Sequence, residues 1–93
     1  MAPRWSGSIL FTGGILATNP VADMLTLSVC KAALRCAARA LFPGCAADGI
    51  HVAVLTIATA VRPASAAATA VAEAFWALHA QPRDQWPWEA AYP

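Results

Sequence analysis

Charged side chains are scarce in this chain, where they make up 12% of the 93 residues. Six basic residues stand against five acidic ones, and a formal net charge of +1 creates no strong field of either sign. The composition therefore favours neither a nucleic-acid partner nor an anionic membrane. The hydrophobic fraction of 59% excludes an ordinary disordered chain, so we expect one small folded domain.

Metal-ligating residues are also few. The chain has three cysteines, an odd number that cannot pair completely, and two histidines. It contains no Cys-x-x-Cys motif, so we expect no metal site. Cys30, Cys36 and Cys45 are predicted to be buried free thiols in a reducing compartment, which indicates a cytoplasmic location. His51 and His79 are predicted to lie at the surface or at element ends.

Long apolar runs are missing as well. The longest strongly apolar run, residues 49–61, is well short of the roughly 20 residues that a membrane helix needs, so no span is expected. Arg4 followed by the apolar residues 9–17 resembles the start of a secretory signal. Two glycines interrupt that stretch, and Pro20 occupies a position where a cleavage site needs a small side chain. Secretion is therefore not expected.

Two segments have the composition of buried strands. Ser8–Thr12 is a short apolar run that ends at Gly13-Gly14, where we expect a turn. Ile50–Ile57 is rich in β-branched residues and has no polar alternation. Such a run is typical of a parallel strand that is covered on both faces.

A long helix is predicted over residues 21–42, which contain neither glycine nor proline. Asn19-Pro20 is expected to cap it and Pro43-Gly44 to end it. Its basic residues are spaced four apart on one stripe: Lys31, Arg35 and Arg39. Every other side is apolar, so we expect all the remaining sides to meet protein.

A second helix is predicted from a cap at Ser65 to about Ala80, ended by Gln81-Pro82. Its apolar face carries Val71, Phe75 and Leu78. The tail, residues 83–93, either adds a last short strand or covers exposed core, and the sequence leaves both possibilities open.

The order strand, helix, strand, helix predicts an α/β fold, a partial Rossmann-like β-α-β-α unit of a doubly wound parallel sheet with right-handed crossovers. So small a parallel sheet leaves strand edges unpaired. We therefore interpret residues 1–93 as a single partial domain that belongs to a larger assembly or associates.

Three segments together resemble the C-terminal half of the short-chain dehydrogenase/reductase family. They are residues 7–14 (Gly-Ser-Ile-Leu-Phe-Thr-Gly-Gly), residues 27–35, and residues 48–54 (Asp-Gly-Ile-His-Val-Ala-Val). The resemblance covers roughly residues 6–80. It implies a Rossmann-fold oxidoreductase that uses NAD or NADP, with a catalytic serine after the first strand and a Tyr-x-x-x-Lys pair in the long helix.

Carried over by position, the resemblance makes Lys31 the catalytic and cofactor-binding lysine, whose ammonium would bond the nicotinamide ribose. Leu27 stands in the tyrosine position, so the general acid is absent. Gly14 stands in the serine position. Ile57 and Ala58 stand in place of the Pro-Gly turn that adjoins the cofactor.

A fourth departure is Ala53, where the family often has asparagine. The sequence also has no Thr-Gly-x-x-x-Gly-x-Gly loop to hold the pyrophosphate, so poor dinucleotide affinity is expected. In an alternative alignment, residues 11–14 would begin that loop, but the later glycines it requires are replaced by Ala17 and Asn19.

Two functions from different classes follow. The first is a truncated or partial dehydrogenase of this family that is inactive alone, which leaves open whether the chain is an enzyme. The second is a non-catalytic association module, in which the helix at residues 21–42 pairs with a second copy or a full-length relative. In the family, this helix lies at a dimer interface.

Overall fold

The computed structural model describes residues 6–59 and 61–92, which form a three-stranded sheet with two helices. The strands are β1 (Gly7–Gly14), β2 (Ile50–Ile57) and β3 (Glu89–Tyr92). The helices are α1 (Leu25–Ala47) and α2 (Ala66–Ala80), and short 3-10 turns occupy Ile15–Ala17, Ala22–Met24 and Arg83–Gln85. The predicted α/β class and the order of its elements are confirmed.

All strand pairs are parallel, in the order β1-β2-β3. β1 pairs with β2 along its whole length, from Gly7 opposite Ile50 to Gly14 opposite Ile57. β3 pairs only with the second half of β2. Residues 51–56 of β2 are buried, because this strand has a neighbour on each edge and a helix over each face.

The two helices cover opposite faces of the sheet. Ala38 of α1 packs with Val54 and Phe11, whereas His79 of α2 bonds to Ser8 at 2.8 Å. Phe11 and Ser8 are three positions apart on β1, and an odd spacing on a strand places side chains on opposite faces.

The crossovers consequently have opposite hands. Both step the same way across the sheet, from β1 to β2 and from β2 to β3, but they pass over different faces. The right-handed geometry predicted for the β-α-β-α unit therefore applies to one of the two crossovers and not to the other. The physical reason is coverage: α1 already occupies one face of the apolar strand β2, and α2 buries the other.

The glycine pair after the first predicted strand is part of that strand and makes no turn. β1 continues to Gly14. Gly13 lies so close to β2 that a Cβ atom there would sit 2.6 Å from Val54 Cγ2. The glycine at residue 13 therefore permits close strand packing.

Both predicted ends of the long helix are wrong. Its start is fixed by the buried Ser28, whose hydroxyl donates to Met24 O at 2.8 Å and accepts from the Val21 N–H at 3.4 Å, so Asn19-Pro20 does not cap it. Pro43 lies inside α1. Packing of the following turn, where Cys45 contacts the core, carries the helix past this proline.

The C-terminal end of α1 is made by glycine in the left-handed region. Gly49 has φ 83° and its N–H donates to Ala46 O at 3.0 Å. This arrangement satisfies a carbonyl that the helix end would otherwise leave unpaired. The stop signal is therefore Asp48-Gly49 and not the predicted Pro43-Gly44.

The second helix and the tail agree with expectation. Ser65 caps α2 by accepting a hydrogen bond from the Ala68 N–H at 3.1 Å, and the helix ends at Ala80. Leu78 is buried, and Val71 and Phe75 are half-buried. Of the two possibilities for the tail, the structure has a strand, β3.

The basic stripe of α1 is partly exposed, since Arg39 is exposed and Lys31 and Arg35 are half-buried. Arg35 pairs with Glu89 of β3, and Arg39 lies 5.7 Å from the Trp88 ring centre. Both arginines lie over the Trp88 ring, and Arg35 also has an acidic partner. Large apolar side chains of α1 are exposed as well: Leu25, Leu27, Val29 and Leu41. The prediction that every apolar side of this helix meets protein is therefore wrong.

The prediction of buried thiols is also wrong for two cysteines. Cys30 and Cys36 are free but exposed, and Cys45 is free and half-buried. The buried residues of α1 are Ser28 and Ala38. Within the described residues, no helix is both long and apolar enough to cross a membrane.

His51 is buried, which corrects its predicted surface position. Its ring stacks on Trp86 with centres 4.7 Å apart, and its Nε2 lies 2.7 Å from Pro87 O. The tail thus supplies both the aromatic cover and the hydrogen-bond partner of this histidine. His79 is exposed near the end of α2, as expected.

Candidate functional site

Lys31 lies at the carboxyl end of β1, the end at which open α/β sheets bind ligands. Its ammonium donates to Thr12 O at 3.0 Å. Its stem passes Gly14, where a Cβ atom would lie 3.8 Å from Lys31 Cγ and Cε. The structure thus brings together Lys31 and Gly14, two of the positions singled out from the sequence.

Leu27 lies one helical turn before Lys31 and is 41% exposed. Residues four apart on a helix share a face, so this side chain occupies the place from which a general acid would act beside the lysine. A leucine has no ionisable proton. Gly14 supplies no hydroxyl either, although the 3.8–3.9 Å spacing around it would admit a small side chain.

The two positions proposed from the family turn lie at the end of β2. Ile57 is the last residue of this strand and is opposite Gly14 in the parallel register. The backbone N–H of Ala58 donates to Tyr92 O at 3.0 Å, so β3 already uses this group. Ala53 is fully buried within β2, where it contributes no polar atom to the site.

Beside the lysine, a charged cluster joins three elements. Arg35 on α1 donates two hydrogen bonds to Glu89 on β3, at 2.9 and 3.1 Å, and Thr56 on β2 donates a third at 2.8 Å. The guanidinium of Arg35 is 5.0 Å from the centre of the Trp88 ring.

The electrostatics of this cluster are those of a mutually stabilised ion pair. The hydrogen bond from Arg35 lowers the pKa of Glu89 below its usual value, with a further contribution from Thr56. The hydrogen bond to Glu89 in turn raises the pKa of Arg35. Both groups stay charged at neutral pH. The cluster therefore links α1, β2 and β3 and does not act as a proton donor.

Sequence reasoning missed Glu89 and Thr56. Nothing local marks them, because their partnership depends on β3 lying beside β2 with Glu89 opposite Val54. The available signal was Arg35, a basic residue in line with Lys31 on a helix whose other sides are apolar. A charged side chain that is partly buried requires an acidic partner, and the chain has only five acidic residues to provide one.

Among the comparisons with known proteins, only the comparison with solved structures found a match. No family model and no curated protein matches the chain. Among solved structures, a short-chain dehydrogenase from Rhodopseudomonas palustris is similar, with a TM-score of 0.82 and 29% sequence identity. The similarity covers 100% of this chain and 41% of that protein. The chain thus has the fold of part of a short-chain dehydrogenase and spans less than half the length of that relative.

Proposed function

We propose that this chain is a short-chain-dehydrogenase-type oxidoreductase unit that keeps the cofactor-side lysine, lacks the proton donor, and does not reduce carbonyl compounds alone. The observation that carries the proposal is the position of Lys31 at the carboxyl end of β1, between Gly14 and Leu27. Similarity to a solved short-chain dehydrogenase supports the oxidoreductase class. We place the protein in the cytoplasm, where its free thiols stay reduced.

The residues present fit one end of a nicotinamide dinucleotide. An ammonium has three donors, and Lys31 spends one on Thr12 O, so others are free for ribose hydroxyls. The pyrophosphate does not fit, because this sequence has no glycine-rich loop. Beside the nicotinamide, the N–H of Ala58 is already bonded to Tyr92 O. We therefore expect weak binding of NAD or NADP and derive no catalytic step through it.

Carbonyl reduction also needs a proton on the developing alkoxide, together with donors that stabilise the charge. Leu27 and Gly14 supply neither. A positioned general acid contributes typically 10²–10⁴-fold to a rate, so its absence together with weak cofactor binding leaves no measurable turnover.

The test is oxidation of NADH and NADPH by the purified chain over a panel of aldehydes and ketones, followed by absorbance. We expect rates equal to the protein-free background. The matched variant is Lys31→Met, which keeps the stem beside Gly14 and removes the charge. Turnover by the wild type that disappears in Lys31→Met would overturn the proposal.

A second function is favoured by the exposed apolar surface of α1. Leu25, Val29 and Leu41 are 60%, 58% and 50% exposed. Large exposed apolar side chains on one element indicate an association surface. We propose as the alternative that α1, within the segment 21–42, pairs with a second copy or with a full-length relative.

The discriminating experiment is the molar mass of the purified chain in solution, measured by light scattering after gel filtration. The association module predicts a dimer that Val29→Lys dissociates. Ala72→Lys, an exposed position on α2, is the matched control and leaves the mass unchanged. A monomer at all concentrations would remove this alternative.

A further inference from the structure

The sheet has one long open edge. Among the described residues, β1 pairs with β2 on one side and has no neighbouring strand on the other. In a strand, the N–H and C=O groups of successive residues point to opposite edges, so every second residue of β1 presents its backbone to the open side. Unpaired groups of this kind form a template for pairing with another chain.

The strand register identifies the residues that point to the open edge. Val54 and Ala58 of β2 donate their N–H groups to Trp88 O and Tyr92 O, at 2.9 and 3.0 Å, on the β3 side. The odd-numbered residues of β2 therefore bond to β1, and the parallel register joins them to odd-numbered residues of β1. The even-numbered residues of β1 consequently face the open edge: Ser8, Leu10, Thr12 and Gly14.

The N–H groups of these four residues are available to a second strand. No backbone carbonyl of another element accepts from them within residues 6–59 and 61–92. Lys31 donates to Thr12 O at 3.0 Å, which agrees with a carbonyl that points away from β2. A carbonyl oxygen has two lone pairs, so this bond still leaves Thr12 O able to accept from a second strand.

The edge also lacks the features that shield edge strands from association, which are short length, proline, charge and bulges. β1 has eight residues, none of them proline or charged, and it pairs with β2 without a bulge. The edge of the sheet at β3 is different, because this strand has four residues and includes Glu89. Of these two edges, β1 is therefore the one open to association.

We propose that β1 is a dimerisation edge, at which β1 of a second copy of this chain pairs antiparallel and joins the two sheets into one. Antiparallel pairing of identical strands has a two-fold axis, so the same surface serves both copies. With the axis beside Phe11, all four open residues find partners. Ser8 then pairs with Gly14 of the second copy, and Leu10 pairs with Thr12 of the second copy.

The side chains of β1 suit a second copy. The strand is uncharged, so no like charges oppose one another across the axis. Ile9 is 49% exposed and shares a face of the sheet with the half-buried Phe11. In the proposed register, Phe11 lies opposite Phe11 of the second copy and Ile9 lies diagonal to it, within reach of an aromatic ring. The pairing thus covers an isoleucine that one chain leaves exposed.

The contact is small, because one pair of strands buries less than the roughly 1,600 Å² of a standard interface. We therefore expect a weak dimer that depends on concentration. The contact uses backbone groups of β1, so it depends neither on the dehydrogenase class nor on the exposed apolar side chains of α1.

The test measures the molar mass by light scattering and the hydrogen exchange of single amides by NMR, from micromolar to millimolar concentrations. We expect the mass to rise to that of a dimer. Exchange of the Leu10 N–H should slow as the dimer forms, because this group points to the open edge. The Phe11 N–H points to β2 and should exchange slowly at every concentration.

A proline at the open edge is the matching variant. Thr12→Pro removes an outward N–H, keeps the bonds to β2, and alters a side chain that is exposed. It should weaken the dimer at least about tenfold, since the symmetric contact loses the bond twice. Thr12→Ala keeps the N–H and should dimerise like the wild type. Near-ultraviolet circular dichroism checks folding, and Leu10→Pro replaces Thr12→Pro if the latter does not fold.

Three outcomes would overturn the proposal. One is a monomer at every concentration. Another is a dimer in which the Leu10 N–H exchanges as fast as in the monomer. The third is a dimer that Val29→Lys on α1 dissociates and Thr12→Pro leaves intact, which would assign the association to α1 instead.

Discussion

The two faces of the sheet differ in how tightly they are packed. On the α1 face, Ala38, Val52 and Val54 form a buried cluster, and Gly13 leaves no room for even one more carbon atom. On the α2 face, an open apolar groove of about 280 Å³ lies between α2 and the sheet, with alanines in its walls. Of the α2 residues, Leu78 alone is fully buried. The same strand, β2, thus contributes to a dense layer on one side and to a loose layer on the other.

This difference shows on which face of the sheet close packing restricts the size of the side chains. The α1 face also carries Lys31 and the ion pair between Arg35 and Glu89. The residues that resemble a dehydrogenase site are therefore on the face whose geometry is fixed by close packing. We expect the α2 face, where an open groove separates the helix from the sheet, to tolerate larger side chains.

The largest expected effect comes from adding one methyl group to the dense face. Gly13→Ala places a Cβ 2.6 Å from Val54 Cγ2 and 3.2 Å from Leu55 O, so strands must shift. We expect a loss of about 1–3 kcal/mol in the free energy of unfolding, measured by urea denaturation.

The adjacent glycine is the matched control. Gly14 has extended backbone dihedrals, φ −154° and ψ 160°, and its nearest neighbours are 3.8 Å from the added carbon. Gly14→Ala should therefore be neutral or stabilise by up to about 1 kcal/mol, because alanine restricts the unfolded chain. Equal costs at both glycines would contradict the account of the dense face.

On the α2 face, we expect a larger side chain to stabilise the protein instead of destabilising it. Ala74→Leu adds apolar contact in the groove between α2 and the sheet and should raise the free energy of unfolding by about 0.5–2 kcal/mol. Ala72→Leu, exposed on the same helix, should change it by less than about 0.5 kcal/mol. Destabilisation by Ala74→Leu as large as that of Gly13→Ala would mean that the two faces are packed alike.

The smallest expected change in stability comes from the ion pair between Arg35 and Glu89. Because Arg35 lowers the pKa of Glu89 in the folded chain, the carboxylate contributes stability that is complete above about pH 4.3, the ordinary glutamate pKa. This contribution is lost as the pH falls through the lowered pKa. Glu89→Gln should cost less than about 1 kcal/mol at neutral pH, since the pair is partly exposed, and should flatten the loss of stability below pH 4.3.

Glu73→Gln serves as the control for this change, because Glu73 is exposed on α2. It should leave the acid dependence of unfolding unaltered. If Glu89→Gln and the wild type lose stability in parallel between neutral and acid pH, the ion pair does not hold α1 to β3 in solution.

The sequence predicted the central strand and the second helix closely, and the reason is that both are specified locally. β2 has the predicted bounds, Ile50–Ile57, because a β-branched run has no competing structure. Ser65 caps α2 as expected, since a cap depends on residues three positions apart. The resemblance to short-chain dehydrogenases agreed with a structural neighbour of that class.

Three of the failures involve contacts distant in sequence. Pro43 lies inside α1 because packing around Cys45 outweighs a local stop signal. His51 is buried because Trp86, far along the chain, stacks on it. Glu89 and its partners depend on the position of β3, which the sequence left undecided. Local propensity gave no information on any of these three.

The most direct test of the central claim uses NADPH deuterated at the transferred position and a reactive aldehyde, with mass spectrometry of the alcohol product. Detection of the label reveals even rare turnovers, which absorbance would miss. The account predicts no deuterium transfer above the protein-free control, because neither Leu27 nor Gly14 can assist the reaction. Transfer by the wild type that Lys31→Met abolishes would contradict it and would show a working dehydrogenase site.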